Sequence, residues 1–351
     1  MTGPIISEPT TRAESKRITI DPITRLEGHG KIEIFLNDEG NVAQAYWQVP
    51  ELRGFEKFCI GRSVDELNKI TPRLCGVCPG AHHLASTKAL DKVFKAEPPP
   101  AARKLRELFY AAHYVHSHIA HFYALAAADF VLGPMAPAEK RNILGVVDAV
   151  GVGIGGEVIK HRSWAQKVQE MMGGKATHPV CGIPGGMAKP LSEDDRKKVE
   201  EWAKSTVEFS KFTAQLLTDV VLKNEDYLAL ITNPGIYYNE TYYQGIVDKD
   251  NKINFYDGDI RVVDQTGKEM WKFHPDKYLD YIGEHVEPWS YEKFCFQKKI
   301  GWNGFTDGPQ SGIYRCAPLA RINASTGFTT PLAQDYYLQM KEFFKGLGIN
   351  G

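Results

Sequence analysis

The chain contains 351 residues, of which 43% are hydrophobic and 24% charged, and its formal net charge is −1. This length allows a large core and more than one domain, whereas the near-zero charge argues against nucleic acid or an acidic membrane as a partner. No apolar run approaches the roughly 20 residues of a membrane-spanning helix. Residues 1–16 are too polar for a secretory signal, so we expect a cytoplasmic protein with a short N-terminal arm.

The first predicted elements are short strands. Alternating apolar and polar residues, with an NDEG turn in between, predict strands at residues 17–20, 31–36 and 42–49. A short helix should follow. Ser63 and Glu66 have the spacing of a capping box at its start, and Pro72 should lie just beyond its end.

Helices are predicted to dominate the centre of the chain. Pro79 suits a first helical position, so a helix is expected over residues 81–96. Apolar residues recur every three or four positions from 103 to 130, which predicts one long helix that Gly133 and Pro134 end. Further helices are predicted at residues 138–150 and 155–172, after an N-cap formed by Ser192 with Asp195, and at residues 332–344.

The pattern changes to alternating aromatic and β-branched residues between 234 and 296, which predicts a strand-rich segment. The whole chain is therefore expected to have an α+β fold that is predominantly α, with a long-helix core and small β subdomains. The expected division has four parts, namely 1–50 (strands), 51–232 (helical core), 233–300 (β-rich) and 301–351 (the start of a C-terminal region).

The segment RLCGVCPGAH carries the clearest chemical signal. It places Cys75 and Cys78 three residues apart on a turn, with His82 four residues later and Arg73 as a nearby positive charge. If Pro79 begins a helix, Cys78 lies at the positive end of the helix dipole, which favours the thiolate. Thiolates bind soft metals, so the segment predicts a metal site.

Three interpretations of a single CxxC motif compete. A structural zinc site needs four ligands, whereas Cys75, Cys78 and His82 supply three at most. A dithiol redox motif usually follows a strand, but here a predicted helix and Pro72 precede it. The third interpretation is a metal cluster completed from elsewhere. The other four cysteines, Cys59, Cys181, Cys295 and Cys316, are expected to be ordinary thiols.

The motif RxCGxCxxxH, followed by LAS, resembles the N-terminal signature of NiFe-hydrogenase large subunits. Other segments resemble the same family in the same order. They are DPITRLEGH (21–29), RGFE (53–56), HIAHFYALAAADF (118–130), GGKATHPVCGIPGG (173–186), EHVEPW (284–289) and PLAR (318–321). The resemblance is to the soluble, cytoplasmic class that includes methyl-viologen-reducing hydrogenases and sulfhydrogenases. It implies a large-subunit-like fold and reversible heterolytic cleavage of dihydrogen.

The resemblance also implies a set of metal ligands. Cys75 matches a terminal nickel thiolate, and Cys78 matches the thiolate that bridges nickel to an iron carrying carbonyl and cyanide ligands. Glu56, in the motif that begins at Arg53, matches a carboxylate that binds magnesium through oxygen.

Glu27 matches the family's proton-relay carboxylate, which would need burial to raise its pKa towards the working pH. His82 matches a histidine that hydrogen-bonds near the bridging sulfur. Without the resemblance, Glu27 would be expected to pair with Arg25.

Other residues have alternative interpretations. Glu56 by itself would be expected to be a solvated loop acid. The spacing of four histidines spreads them around the long helix, so they are expected to serve packing and hydrogen bonding; they are His113, His116, His118 and His121. His178 matches a loop that contacts a partner's iron–sulfur cluster in the family, but a hydrogen bond within its own loop is the simpler expectation.

The family also has a second CxxC pair, in DPCxxCxxH, and no cysteine follows Cys316 here. A second polypeptide, a longer product or loss of the chemistry would each explain this. The expected partners are an iron–sulfur small subunit, which would hold all the clusters, and further electron-transfer subunits. The rival hypothesis is a non-catalytic scaffold or electron-transfer subunit that binds no nickel.

Overall fold

The computed structural model describes residues 17–52, 54–235, 238–290 and 292–347. These residues form two units. The first contains the chain up to Gly54 together with Val286–Lys293, and the second contains Phe55–His285 and Phe294 onwards. The predicted four-part division of the chain stays a prediction.

The three predicted strands are confirmed, and in the first unit they form one antiparallel sheet. Its strands are β1 (Arg17–Ile20), β2 (Lys31–Leu36) and β3 (Val42–Gln48), in the order β1-β2-β3. The loop between β1 and β2 is closed by a hydrogen bond from the Ile23 amide to the Gly30 carbonyl, 3.0 Å long. This loop carries Glu27.

The second unit is mainly helical. In chain order, its helices are α1 (Phe55–Phe58), α2 (Leu67–Ile70), α3 (Pro79–Phe94), α4 (Pro100–Ala120), α5 (Ala127–Val131), α6 (Ile143–Val150), α7 (Val152–Gly173), α8 (Glu193–Leu217), α9 (Glu225–Thr232), α10 (Tyr278–Tyr281), α11 (Pro318–Asn323) and α12 (Pro331–Gly346). The helix-dominated α+β class predicted from the sequence is confirmed. None of the helices in the described ranges could cross a membrane.

The main core lies between α4, α7 and α8. The apolar positions of α4 face the core as predicted, and they include Leu105, Leu108 and Ala112. Phe109, which lies beside that predicted stripe, is completely buried in the same core. Val168 and Met172 of α7 and Val199 of α8 complete it.

The predicted helix over residues 103–130 is not a single α-helix. α4 begins three residues earlier, at Pro100, because proline suits a first turn whose amide needs no partner. After Ala120 the chain forms a π-helical segment, His121–Ala126, before α5 continues. The next helix, α6, begins at Ile143 rather than 138 because Asn142 caps it, its side chain accepting from the amides of Leu144 and Gly145.

The predicted capping box is wrong. The Ser63 hydroxyl donates to the neighbouring Asp65 carboxylate and caps no backbone amide. The helical path also continues beyond α2 as a 3₁₀ segment, Thr71–Leu74, which contains Pro72 in its first turn. By contrast, the Ser192 cap is confirmed, since its side chain accepts from the Asp195 amide at the start of α8.

The remaining strands form small sheets. They are β4 (Gly182–Ile183), β5 (Gly186–Met187), β6 (Tyr242–Val247), β7 (Asp259–Val263), β8 (Glu269–Phe273), β9 (Ile282–Val286), β10 (Lys293–Gln297) and β11 (Tyr314–Arg315). The largest sheet has the order β11-β6-β7-β8, with β11 parallel to β6 and the other pairs antiparallel. The strand-rich segment after residue 234 is therefore confirmed.

A buried guanidinium joins α3, α4 and the β4–β5 hairpin. Arg106 of α4 is completely buried and pairs with Asp91 of α3 through both terminal nitrogens, with N–O distances of 2.5 and 3.1 Å. It also donates to the carbonyls of Ile183 and Gly186, both at 2.9 Å. Asp91 accepts from the Gly185 amide at 2.7 Å. A buried charge requires such complete pairing because it has lost its water.

We expect Arg106→Met to lower the free energy of unfolding of the metal-free chain by about 3–5 kcal/mol, because it leaves the Asp91 carboxylate buried without its cation. Urea unfolding would measure this. Asp91→Leu in the same chain should recover part of the loss, since it removes the orphaned charge. Arg196→Met is the control, because Arg196 pairs with Glu193 and Glu200 on the exposed face of α8. Equal losses for the two arginines would contradict this account.

Candidate metal centre

The two cysteines of the CxxC motif lie on a turn between two helical segments. Cys75 ends the 3₁₀ segment Thr71–Leu74, and Cys78 occupies the N-cap position of α3. Pro79 is the first residue of α3, as predicted, and no cap side chain covers the helix end. The positive end of the α3 dipole is therefore directed towards the turn.

Cys75, Cys78 and His82 form one cluster. One ligand atom from each residue lies within 4.8 Å of the other two. The Cα atoms of the two cysteines are 5.4 Å apart, a spacing that suits a disulfide or two thiolates on one metal. The structure therefore brings together the three residues of the motif, and their roles as metal ligands stay a prediction.

The surroundings of Cys75 favour its thiolate. The side chain of Cys78 lowers the pKa of Cys75 most, and hydrogen bonds from His82 and from the Cys78 and Val77 amides lower it further, against the opposing effect of burial. The Cys78 amide donates to the Cys75 sulfur at 3.0 Å. Cys181, in contrast, is buried among apolar groups, and burial raises its pKa to about 12.

His83, next to the cluster, fixes the first turns of α3 against the β4–β5 hairpin. Its Nδ1 donates to the Asn68 carbonyl at 2.7 Å, and its Nε2 accepts from the amides of Cys181 and Gly182 at 3.0 and 2.8 Å. These partners require a neutral ring, and burial lowers its pKa accordingly. His83, Asp91 and Arg106 were not predicted, because nothing in the spacing of the sequence around them indicates that they have buried partners.

The other predicted site residues lie on the surface. Arg73 is exposed in the 3₁₀ segment, and Glu56 is exposed in α1. Glu27 is exposed in the first unit, so the burial expected to raise its pKa is not provided by the described residues. Arg53 lies outside the described residues.

Of the four histidines expected to pack, His113 and His116 of α4 are buried, whereas His118 and His121 are exposed. The Nδ1 of His118 donates to the Tyr114 carbonyl at 2.8 Å. His113 and His116 are buried, and the Nδ1 atom of each has no hydrogen-bond partner among the described protein groups. The same holds for His178 Nδ1, so the loop hydrogen bond expected there is not made by this atom.

The donor set fits a soft or borderline metal. Two sulfurs, one of them with a strongly lowered pKa, match the thiolate chemistry that nickel accepts. The three residues leave further coordination positions to ligands from elsewhere, as a catalytic centre requires and a closed structural zinc site does not.

Comparison with known proteins agrees with this chemistry. The nickel-dependent hydrogenase model matches residues 53–139, and a HoxL-like model matches residues 17–52. An iron-sulfur subunit of an F420-non-reducing hydrogenase from Archaeoglobus profundus is 47% identical over 94% of this chain and 68% of its own length. A vhu subunit of an F420-non-reducing hydrogenase from Methanocaldococcus jannaschii is 44% identical over 93% of this chain and 75% of its own.

The chain belongs to the nickel-dependent hydrogenase family. A solved NAD+-reducing [NiFe]-hydrogenase shares its fold with a TM-score of 0.78 and 32% identity, over 93% of this chain and 70% of that one. The chain is therefore a homologue of hydrogenase large subunits, and hydrogenases are oxidoreductases that act on dihydrogen. The fold and function implied by the sequence resemblance are confirmed, and the scaffold hypothesis is not favoured.

The buried histidines should make this hydrogenase subunit sensitive to acid. Burial, with smaller effects from His113 and Arg162, lowers the pKa of His116 to about 3 from its usual 6.5. The unfolded chain therefore binds a proton below pH 6.5 that the folded chain excludes until about pH 3. Stability contributed by neutral His116 is complete above 6.5 and is lost as the pH falls.

We expect His116→Phe to reduce the slope of unfolding free energy against pH, between about pH 6 and 4, by about 1.4 kcal/mol per pH unit. Urea unfolding at several pH values would measure this slope. Ile119→Val, also in α4, removes no titrating group and should leave the slope unchanged. An unchanged slope in His116→Phe would show that this histidine is already protonated in the folded chain.

Proposed function

We propose that Cys75 and Cys78 are two thiolate ligands of the nickel–iron centre of this hydrogenase, Cys75 on nickel alone and Cys78 between nickel and iron. The observation that carries the proposal is the Cys75–Cys78–His82 cluster at the N-terminus of α3. The remaining thiolates would come from polypeptide outside these 351 residues. When bound, the centre supplies the Lewis acidity that cleaves dihydrogen heterolytically.

The chain's own groups prepare this site. The Cys78 amide and His82 stabilise negative charge on Cys75, so that this sulfur is available as a thiolate near neutral pH. His82 would also orient the sulfurs through its hydrogen bond, as groups around metal ligands commonly do. Arg73 would add a positive charge beside the turn.

Glu27 would carry protons away from the thiolates. Its carboxylate is of the right chemical type for a general base. Because Glu27 is exposed on this chain, the dry environment that a raised pKa needs would have to come from a covering polypeptide.

Two further assignments follow the family resemblance. Glu56 would bind magnesium through its carboxylate oxygens, and its exposed position in α1 leaves it accessible to such a cation. The iron at the centre would carry carbonyl and cyanide ligands.

The partners are proposed from the relatives. Matching proteins are named as subunits of F420-non-reducing hydrogenases and as the beta subunit of a NAD-reducing hydrogenase, so they work beside other subunits. We expect a small subunit to hold the iron–sulfur clusters that take the electrons, together with further electron-transfer subunits. A second polypeptide that supplies the family's other CxxC pair is a further expected partner. The expected location is the cytoplasm.

The decisive variant for the metal ligands is Cys78→Ala in the complex purified through this chain. Nickel content and hydrogen-dependent dye reduction should each fall by more than roughly 10–100-fold. That range is the loss expected when a residue that only hydrogen-bonds to a metal ligand is removed. Elemental mass spectrometry and the dye assay measure the two quantities. Cys295→Ala, an exposed cysteine elsewhere, should change neither. Full nickel content and turnover in Cys78→Ala would refute the assignment.

A second variant tests the relay. Glu27→Gln should lower hydrogen–deuterium exchange with solvent by about 100-fold or more, because the amide cannot accept a proton. Nickel content should stay at the wild-type value. Glu39→Gln, in the exposed β2–β3 turn of the same unit, is the matched control. Normal exchange in Glu27→Gln would remove this residue from the proton route.

A further inference from the structure

Three buried polar side chains behind the metal-site turn have atoms without hydrogen-bond partners among the described protein groups. They are Gln169 of α7, which is 0% exposed, and His113 and His116 of α4, which are 5% and 3% exposed. Both amide atoms of Gln169 and the Nδ1 atoms of both histidines are unpartnered within those groups. We call these three residues the amide–imidazole cluster.

The cluster lies directly against the first turn of α3. A Cβ atom at Gly80, two residues after Cys78, would lie 3.3 Å from His113 Nδ1 and 3.4 Å from Gln169 Nε2. These distances are tighter than ordinary van der Waals contact, so the absence of a side chain at Gly80 lets the first turn of α3 pack closely against both polar atoms. The His113 and His116 rings continue the line, with centroids 5.0 Å apart and ring planes at 81°.

Buried polar atoms lower the stability of the folded chain unless they form hydrogen bonds. A buried amide can form up to about four hydrogen bonds, and each bare donor or acceptor keeps its full desolvation penalty. Elsewhere in this chain a fully buried amide is satisfied: Gln297 donates to Gln244 at 2.9 Å and accepts from Trp271 at 3.3 Å. A neutral imidazole Nδ1 also needs a partner, whether it donates or accepts.

We propose that the amide–imidazole cluster binds ordered water, which joins Gln169 to His113 and His116 beneath the first turn of α3. Water suits the site because it is the smallest group that can hydrogen-bond to these buried atoms. It can also donate and accept, as a mixed group of amide and imidazole atoms requires.

The bound water makes Gln169 a positioning residue for the metal site. It fixes the spacing between α4, α7 and the backbone at Gly80, and so the position of the turn that carries Cys78 and His82. This role rests on the proposed nickel site, whereas water binding itself does not.

The sign of a stability change tests water binding. Gln169→Met keeps the length of the side chain and removes the amide. If water is bound, the variant strips the water of its partners, and the Tm of the full metal-free chain should fall by about 2–4 °C. If the cavity is dry, the variant removes an unsatisfied amide and the Tm should rise. A rise, or no change, overturns the proposal.

A double-mutant cycle tests whether Gln169 and His116 share the same water. His116→Phe should also lower the Tm, and adding Gln169→Met should cost less than the sum of the two single losses, because both remove the same water. Full additivity would mean that the two side chains share no ligand, contrary to the proposal. In a crystal structure of the chain, water should lie within about 2.7–3.2 Å of Gln169 Nε2 and His113 Nδ1.

The positioning role is tested by nickel retention in the purified complex. Nickel retained after dialysis against a chelator should fall about tenfold in Gln169→Met. Gln297→Met is the matched control, since it should lower the Tm by removing a satisfied amide while leaving nickel retention unchanged. Equal nickel loss in both variants would mean that Gln169 affects nickel retention only through the general stability of the fold. A wild-type complex without nickel would overturn the proposed function instead, while the Tm results would still decide whether water binds.

Discussion

The arrangement around the metal-site turn depends on burying the charge of Arg106. A guanidinium that is completely removed from water needs hydrogen-bond partners within the protein, and here they come from two other segments, α3 and the β4–β5 hairpin. Asp91 supplies the negative charge, and the carbonyls of Ile183 and Gly186 accept further hydrogen bonds. Because any shift of α3, α4 or the β4–β5 hairpin would break these bonds, their relative positions are fixed.

The hairpin transmits this constraint to the cysteines. The amides of Cys181 and Gly182, at the start of the hairpin, donate to His83, which lies next to His82 on α3. One face of the first turns of α3 is thus held by a neutral imidazole, and the Cys75–Cys78–His82 cluster lies at the start of the same helix. The site therefore combines a rigid support with a thiolate whose charge is stabilised by backbone amides and the helix end.

The amide–imidazole cluster adds a third support of a different kind. Arg106 and His83 are satisfied by protein groups alone, whereas Gln169, His113 and His116 have buried polar atoms without hydrogen-bond partners among the described protein groups. Buried polar atoms without hydrogen bonds lower the stability of the fold, and bound water would offset that cost. The three supports behind the cysteines are thus a paired guanidinium, a neutral imidazole and the proposed bound water.

The sequence by itself determined the local features. CxxC followed by a proline predicted the turn, the helix start and the thiolate chemistry, and the apolar stripe at helical spacing predicted the α4 face. These succeed because thiol spacing, proline geometry and helical periodicity act over a few residues. Prediction failed where a local preference met a competing contact: Ser63 bonds Asp65 instead of the backbone, and the long helix takes a π-helical turn at His121. Only the tertiary structure decided which polar residues are buried and paired. Asp91 and Arg106 are 15 positions apart, and His83 and Cys181 are 98 apart, and contacts over such distances depend on how whole helices pack.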